Sequence, residues 1–222
     1  MYDLDDNVIQ PFKAFSEEFD KVAAVERIWN VDTAGRTDDW KRNAGASHLI
    51  TRKVIRLSYG APTVVKTNVA LPSIVGGRQS IYFLPDVVLV AEGNRAGAVS
   101  YKRLAVSWGQ TVFIEDGGVP GDAQVVGHTW KYVNKKGGPD RRFNNNRQIP
   151  EVKYQLMAIH GPGSLQKLLH ISQVADRVGF DARLERLRSL IGALQQLPPP
   201  KQRIPNLAYP VNADSLSRIV YT

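Results

Sequence analysis

The chain has 222 residues, 43% of them apolar, so it is long enough to bury a core in one large domain or two small ones. It contains no cysteine, which excludes disulfides, thiolate catalysis and cysteine-based zinc sites, and its formal charge of +8 favours anionic partners. Because no apolar run approaches the roughly 18 residues of a membrane span and the N-terminus lacks a signal-peptide pattern, we expect a cytoplasmic protein with no transmembrane segment.

The N-terminal region is predicted to be helical over residues 7–30. Phe12, Phe15 and Phe19, followed by apolar residues up to Trp29, fall close to helical spacing. We expect the aromatic stripe from Phe12 to Phe19 to face the core. The mixed-charge residues 33–46 are typical of a loop.

Short apolar runs from Ser47 onwards are typical of β-strands. Strands are predicted at 49–50, 54–57, 64–65, 69–71, 81–84, 87–91, 96–101, 104–108 and 111–114. Residues 92–95 are a predicted turn, and residues 115–122 (EDGGVPGD) an acidic loop. A hairpin follows, in which strand 125–133 returns as strand 152–159, and a further short element covers 165–171.

The C-terminal region is predicted to begin with a helix over 174–197, because its leucines form an apolar face. Pro198, Pro199 and Pro200 end this helix. The remaining tail, 198–222, is punctuated by prolines and is expected to be extended. If it is ordered it must dock on its own domain or on a neighbouring chain, which predicts self-association through 198–222 as one alternative.

This order of elements predicts an α+β fold. We expect a curved antiparallel sheet or partly open barrel with an N-terminal helix, a closing C-terminal helix and an extended Pro-rich tail. The corresponding division is an N-terminal helical segment at 1–46, a β-rich domain at 47–197 and the tail at 198–222.

Six stretches of the chain together resemble a domain of uncharacterised bacterial proteins, which usually lies near the C-terminal end of a longer chain. They are KTNV at 66–69, LPSI at 71–74, IYFLPD at 81–86, GAVSY at 97–101, VVGHTW at 125–130 and YVNKKGGPDRRFNNNRQ at 132–148. The resemblance spans residues 20–172 and implies no particular activity. The chain departs from it after Ile171 and at Val87-Val88, where the resemblance implies a cation.

The segment 81–101 is also similar to the β-hairpin of bacterial pleckstrin-homology-like and GRAM-like domains. Those domains close with a strand followed by a C-terminal helix, as residues 152–197 are predicted to do here. At the level of the fold, this resemblance implies binding and scaffolding.

The segment 131–147 is the strongest candidate for function, because it carries six cations against one carboxylate, a net charge of +5. Arginine forks and the backbone amides of the Gly137-Gly138 turn suit phosphate oxygens. The candidate anion-binding residues are Lys131, Lys135, Lys136, Arg141, Arg142, Asn144, Asn146 and Arg147. Aromatic rings that could stack on bases are those of Trp130, Tyr132 and Phe143.

Two structural interpretations of this segment stay open. It can be a long hairpin connection whose Asn and Gly residues accept left-handed backbone and whose charges are solvated. Alternatively, Arg141 and Arg142 can pair internally with the acidic loop 115–122.

A catalytic interpretation rests on Asp140 in a Pro-Asp pair, followed by Glu151 and Lys153 in Glu-x-Lys. This is the spelling of a divalent-metal-dependent nuclease of the PD-(D/E)xK type, in which carboxylates hold the ion and the lysine orients the attacking water. Such short patterns are frequent by chance, and Asp140 lies in a turn. The site would also need a further carboxylate, such as Glu18 or Glu26.

The sequence therefore predicts a non-enzymatic binding or assembly module. Its expected partners are nucleic-acid phosphates, an acidic protein surface or anionic headgroups, in that order. The four histidines form no pair with metal-ligand spacing, so neither a metal nor another cofactor is predicted. The alternative function is the nuclease centred on Asp140, Glu151 and Lys153.

Overall fold

A computed structural model describes residues 6–36, 48–62, 70–163, 165–173 and 177–194. The helices in this part of the chain are α1 (Asp6–Ala23) and α2 (Arg177–Leu194), with one 3-10 turn at Tyr101–Arg103. Neither α1 nor α2 is long and apolar enough to cross a membrane. The strands are β1 (Ile28–Arg36), β2 (His48–Gly60), β3 (Leu71–Val75), β4 (Ser80–Phe83), β5 (Val88–Glu92), β6 (Arg95–Val99), β7 (Ala105–Ile114), β8 (Gln124–Trp130), β9 (Gln148–His160) and β10 (Gln166–Ile171).

The ten described strands form one open sheet in which every pairing is antiparallel. Their order is β6-β5-β4-β3-β2-β1-β10-β9-β7. β8 pairs with the first part of β9, and β10 pairs with the second part. The predicted α+β class, with an unclosed and mostly antiparallel sheet and a helix near each end of the sequence, is therefore confirmed.

The main core lies on the face of the sheet that both helices cover. Phe15 and Phe19 of α1 are fully buried, and Phe12 is partly buried against the same cluster. The ring of Phe15 lies 5.2 Å from that of Phe83 in β4 and 5.3 Å from that of Phe180 in α2, measured between centroids. The prediction that the aromatic stripe faces the core is confirmed.

The predicted helix over 7–30 is wrong beyond Ala23, because the chain turns there and continues as β1. Ile28 packs into the core beneath the helices, whereas Trp29 packs on the opposite face of the sheet. Neighbouring residues buried on opposite faces have the period of a strand, which a short apolar run does not distinguish from helical spacing. The predicted loop 33–46 is also wrong at its start, since Thr33–Arg36 belong to β1.

Most later elements agree with their predictions. Strands predicted at 81–84 and 87–91 are confirmed as β4 and β5, the element at 165–171 is β10, and the C-terminal helix is α2. Two segments predicted as broken pairs of strands are continuous strands, β2 and β7.

Sheet pairing crosses the predicted boundary at residue 46, because β1 pairs with both β2 and β10. The N-terminal segment thus contributes a strand to the sheet as well as a helix. The predicted strand at 64–65 lies outside the described residues. The same is true of the extended Pro-rich tail at 198–222 and its predicted self-association.

The face opposite the helices carries a second, smaller cluster of Trp29, Val152 and Tyr154. Arg52 of β2 enters this cluster between two rings. Its guanidinium carbon lies 4.0 Å from the ring centre of Trp29 and 3.9 Å from that of Phe113. A guanidinium held between two aromatic faces gains cation–π attraction, but it also loses contact with water and therefore needs a counter-charge.

Glu115, the first residue after β7, supplies that counter-charge. Its carboxylate accepts hydrogen bonds from the Arg52 guanidinium and from the Tyr154 hydroxyl, the latter at 2.8 Å. Both charged side chains are only 10% exposed. Burial, together with the hydrogen bond to Glu115, raises the pKa of Tyr154.

His170 of β10 lies beside the same cluster and is 1% exposed. Its ring contacts those of Phe113 and Tyr154, with centroids 6.1 and 6.3 Å apart. Its Nδ1 atom has no hydrogen-bond partner within the described part of the chain. Burial, and secondarily the charge of Arg52, lower the pKa of His170 to about 4, so the ring is neutral at pH 7.

On the helix-covered face, a buried lysine fixes the turn between β3 and β4. Lys167 of β10 is 4% exposed, and its Nζ donates hydrogen bonds to the backbone carbonyls of Gly76 and Gln79. Gly77 in this turn has φ +68°, and a Cβ there would lie 2.6 Å from the side-chain nitrogen of Asn30. The turn therefore folds back closely over β1 and β10.

Desolvation lowers the pKa of Lys167 from 10.5 to about 8, and the charge of Asp32 opposes this shift. Between these two pH values the unfolded chain binds a proton that the folded chain does not, so the contribution of Lys167 to stability rises with pH. We expect the unfolding free energy of the wild type, relative to Lys167→Met, to increase by up to about 3 kcal/mol from pH 8 to pH 10.5. Urea titrations of both proteins across this range measure it.

The matched control for this experiment is Lys102→Met. Lys102 is an exposed lysine of the 3-10 turn and takes no part in the contacts of Lys167. Lys102→Met should not reproduce the pH-dependent difference expected for Lys167→Met. A constant difference for Lys167→Met would contradict the lowered pKa.

Candidate anion-binding loop

The connection between β8 and β9, residues 131–147, is called here the basic loop. The predicted hairpin of 125–133 with 152–159 is confirmed as an antiparallel pair, but its return strand begins earlier, at Gln148. Hydrogen bonding extends into the loop, because the amide of Lys131 donates to the carbonyl of Arg147 at 2.9 Å. The base of the loop is therefore fixed by the same ladder that fixes the two strands.

Asn134 organises the turn at the tip of the basic loop. Its side-chain oxygen accepts hydrogen bonds from the amides of Lys136 (2.8 Å) and Gly138 (3.1 Å), and its nitrogen donates to the carbonyl of Pro139 (3.2 Å). Gly137, with φ +81°, donates to the Asn134 carbonyl at 3.0 Å. The amides of this turn are thus engaged internally, so a phosphate would have to be recognised by side chains.

Asn146 joins the two sides of the loop. Its side-chain oxygen accepts from the amide of Tyr132 (3.0 Å), and its nitrogen donates to the carbonyl of the same residue (2.7 Å), much as a neighbouring strand would. The predicted anion-binding amide of Asn146 is therefore committed to its own loop. The side chain of Asn144 is exposed.

Asp140, 6% exposed, is paired with Arg142 inside the loop. The Nε and Nη2 atoms of Arg142 donate to the two carboxylate oxygens at 3.0 and 2.5 Å, and its amide donates to Oδ1 at 3.1 Å. These hydrogen bonds raise the pKa of Arg142. The side chain of Arg142 is still 72% exposed, but its charge is compensated locally.

Lys131 and Arg147 pair with Asp116 of the acidic loop. Lys131 Nζ lies 3.2 Å from one carboxylate oxygen, and Arg147 contacts the other and donates to the Asp116 carbonyl at 3.3 Å. Pairing between the basic and acidic loops therefore occurs, but through cations other than the Arg141 and Arg142 of the sequence interpretation.

The acidic loop is held in place from a distant part of the chain. Glu26 accepts a hydrogen bond from the amide of Gly121 (2.5 Å), and the amide of Glu26 donates to Asp122 (2.8 Å). These contacts join residues 95 and 96 positions apart, which sequence analysis did not anticipate. The only sign in the sequence that the acidic loop contacts the basic loop is the cluster of carboxylates in 115–122, which lies shortly before the strongly basic segment.

The three candidate stacking rings are only partly available. Tyr132 and Phe143 stack on each other, with centroids 4.0 Å apart and planes inclined by 14°. One face of each ring is therefore covered by the other ring. Trp130, at the end of β8, is half-buried.

Three cations of the basic loop remain exposed without a carboxylate partner among the described residues: Lys135, Lys136 and Arg141. The two lysines lie in the turn organised by Asn134, and Arg141 follows the buried Asp140. The turn is anchored at both ends, so these side chains project from a defined backbone. They are the part of the predicted site that is free to meet an external anion.

The residues of the nuclease alternative are distributed over two elements. Glu151 and Lys153 lie two residues apart on β9 and so face the same side of the sheet. Asp140 lies in the basic loop, where its carboxylate is bound by Arg142. Within the described segments there is no group of three or more His, Asp or Glu residues that could hold a metal ion.

Comparison with known proteins assigns neither a family nor a function to the chain. No family model matches the chain, and neither a curated protein nor a solved structure matches it.

Proposed function

We propose that this protein is a non-enzymatic binding module whose basic loop contacts the phosphates of a nucleic acid. The observation that carries the proposal is the anchored loop with three uncompensated cations, Lys135, Lys136 and Arg141. Side chains on a fixed backbone lose less conformational freedom on binding than side chains on a mobile one. The net charge of +8 would attract a polyanion to this surface at long range.

A nucleic acid suits the loop better than an acidic protein surface or a lipid headgroup. Lysines bind phosphate as point charges, and Arg141 and the outer face of Arg142 add planar donors. The exposed amide of Asn144 and the half-buried rings of Tyr132 and Phe143 lie in the same loop, and bases can use both kinds of group.

The first test replaces Lys135, Lys136 and Arg141 by alanine together. Each phosphate contact releases counterions, so the logarithm of affinity falls linearly with the logarithm of salt concentration. We expect the slope for the wild type to be reduced by about 1 for each contacting cation removed, with weaker binding at low salt. Fluorescence anisotropy with labelled single- and double-stranded oligonucleotides at several salt concentrations measures both.

The control removes the same charge elsewhere, by replacing Lys102, Arg103 and Arg183 with alanine. These side chains are exposed on the 3-10 turn and on α2. The control should keep most of the affinity and slope. Equal losses of affinity in the two triple variants would show that only net charge matters and would overturn the proposed site. The absence of salt-dependent binding in the wild type would overturn it as well.

The same oligonucleotides separate the binding module from the nuclease. A nuclease requires cleavage in the presence of Mg²⁺ or Mn²⁺ that is lost in Glu151→Ala. Binding without cleavage in either metal is the expected result. Metal-dependent cleavage abolished by Glu151→Ala would replace the present proposal.

We also propose that the fold resembles that of pleckstrin-homology-like domains. The likeness of residues 81–101 to pleckstrin-homology-like domains implies a sheet closed by a C-terminal helix. The packing of Phe180 and Leu184 of α2 into the main core, directly after β10 in sequence, supports that arrangement.

A further inference from the structure

The outer edge of β7 is an open end of the sheet. β7 runs from Ala105 to Ile114 and pairs with β9, and no other described strand pairs with it. Its ten residues, AVSWGQTVFI, contain neither a charge nor a proline. Edge strands are usually protected by charges, prolines or bulges, because their unpaired backbone groups can pair with another chain. β7 has none of these protections over its full length.

The backbone groups that face outward can be identified from the ladder. The amide of Glu115 donates to the carbonyl of Pro150 at 3.0 Å, so this pair is of the hydrogen-bonded kind. Hydrogen-bonded and non-hydrogen-bonded pairs alternate along an antiparallel ladder. The odd-numbered residues of β7 therefore bond to β9, whereas Trp108, Gln110 and Val112 turn their N–H and C=O groups outward. The side chain of Val112 is also 56% exposed.

A groove of about 370 Å³ lies between the start of β7 and α2. Its lining combines apolar side chains with carboxylates: Val106, Asp181, Ala182, Leu184, Glu185 and Arg188. Asp181 accepts a hydrogen bond from the indole of Trp108 (2.7 Å), and Glu185 one from Arg188 (2.6 Å), each through one oxygen. The second oxygen of each carboxylate has no hydrogen-bond donor among the described residues. A strand added to β7 would place its side chains beside this groove.

We propose that β7 and this groove bind an extended basic segment of a protein partner, which adds to the sheet as a further strand. The partner's main chain would pair with the outward groups of Trp108, Gln110 and Val112, and a Lys or Arg side chain would meet Asp181 and Glu185. Charge complementarity disfavours a second copy that pairs β7 with β7, because this strand has no cation for these carboxylates. This site is separate from the basic loop and does not rest on the function proposed for it.

The test selects phage-displayed random decapeptides on the immobilised full-length protein. We expect enriched peptides to alternate β-forming residues and to carry a Lys or Arg at a constant position. Gln110→Pro removes one outward N–H while leaving the bonds between β7 and β9 intact, since proline is accepted at the solvent-facing positions of edge strands. It should raise the Kd of the enriched peptides about tenfold or more. Gln110→Thr, which keeps the N–H, should leave the Kd within about twofold.

A second variant tests the charge contact. Asp181→Asn combined with Glu185→Gln keeps the side-chain shapes and the acceptor for Trp108. Preference is measured as the ratio of the Kd of a Thr-bearing peptide to the Kd of its Lys- or Arg-bearing analogue. The double variant should lower this ratio by about 3- to 10-fold. Circular dichroism and thermal transitions check that all variants fold.

Three results would overturn the proposal. The first is no enrichment of peptides on the full-length protein. The second is equal binding of enriched peptides to the wild type and to a folded Gln110→Pro. The third is a wild-type dimer that Gln110→Pro converts to a monomer in sedimentation, since a second copy would then occupy the edge.

Discussion

Glu115→Ala is expected to lower the free energy of unfolding by about 3–5 kcal/mol. The substitution leaves the Arg52 guanidinium without its counter-charge between the rings of Trp29 and Phe113. It also removes the acceptor of the Tyr154 hydroxyl, which is fully buried. A buried charge and a buried hydroxyl left unpaired are among the most costly defects that one substitution creates. Chemical denaturation at pH 7 measures the change.

Two further variants distinguish the cost of an unpaired buried charge from the cost of losing a carboxylate at the surface. Glu115→Gln combined with Arg52→Met removes both charges while keeping an acceptor for Tyr154, and it should be less destabilising than Glu115→Ala alone. Asp116→Ala is the matched control, because its carboxylate is 49% exposed and its pairs with Lys131 and Arg147 lie at the surface. It should cost less than about 1 kcal/mol. A Glu115→Ala protein within about 1 kcal/mol of the wild type would contradict the assignment of a buried ion pair.

The Glu115 contact also bears on the candidate site. Glu115 immediately precedes Asp116, which pairs with two cations of the basic loop. Loss of the buried Glu115 contacts should make the position of Asp116, and with it the basic loop, less fixed, and should also destabilise the fold. We therefore expect Glu115→Ala to weaken oligonucleotide binding at temperatures where the protein is still folded.

Acidification from pH 6.5 to pH 4 is expected to destabilise the protein through His170. The unfolded chain protonates this histidine near pH 6.5, whereas in the folded protein burial and the nearby Arg52 hold its pKa at about 4. In that window the unfolded state binds the additional proton, so stability falls as the pH falls. The shift corresponds to a loss of up to about 3 kcal/mol from this one group. Glu115, which is close by, opposes the shift without reversing it.

The measurement compares urea unfolding of the wild type and His170→Phe between pH 4 and pH 7. Phenylalanine fills the aromatic site beside Phe113 and Tyr154 and cannot be protonated. The variant should therefore lose less stability on acidification than the wild type. His128→Gln, at an exposed position on β8, should follow the wild-type curve. Parallel curves for His170→Phe and the wild type would show that His170 is protonated without penalty.

Local sequence patterns predicted most of the strands because β-forming runs and turn residues act over short distances. The turn at 92–95 joins β5 and β6 as expected, and the apolar face of the C-terminal helix buries Phe180, Leu184 and Ile191. The same reasoning failed at Ile28 and Trp29. Their burial on two different faces depends on packing by α1 and by Arg52, and the residues themselves carry no sign of it.

The charge of the chain, the positions of its turns and the presence of a basic, Asn-rich hairpin connection follow from local sequence patterns. Which charges of that connection remain uncompensated depends on how the folded chain brings distant residues together. Asp116 meets Arg147 across 31 positions, and Glu115 meets Arg52 across 63. Such pairs form when strands distant in sequence are brought side by side, and burial then decides whether a charge must be neutralised. For that reason six predicted cations reduce to three that are free to bind: Lys135, Lys136 and Arg141.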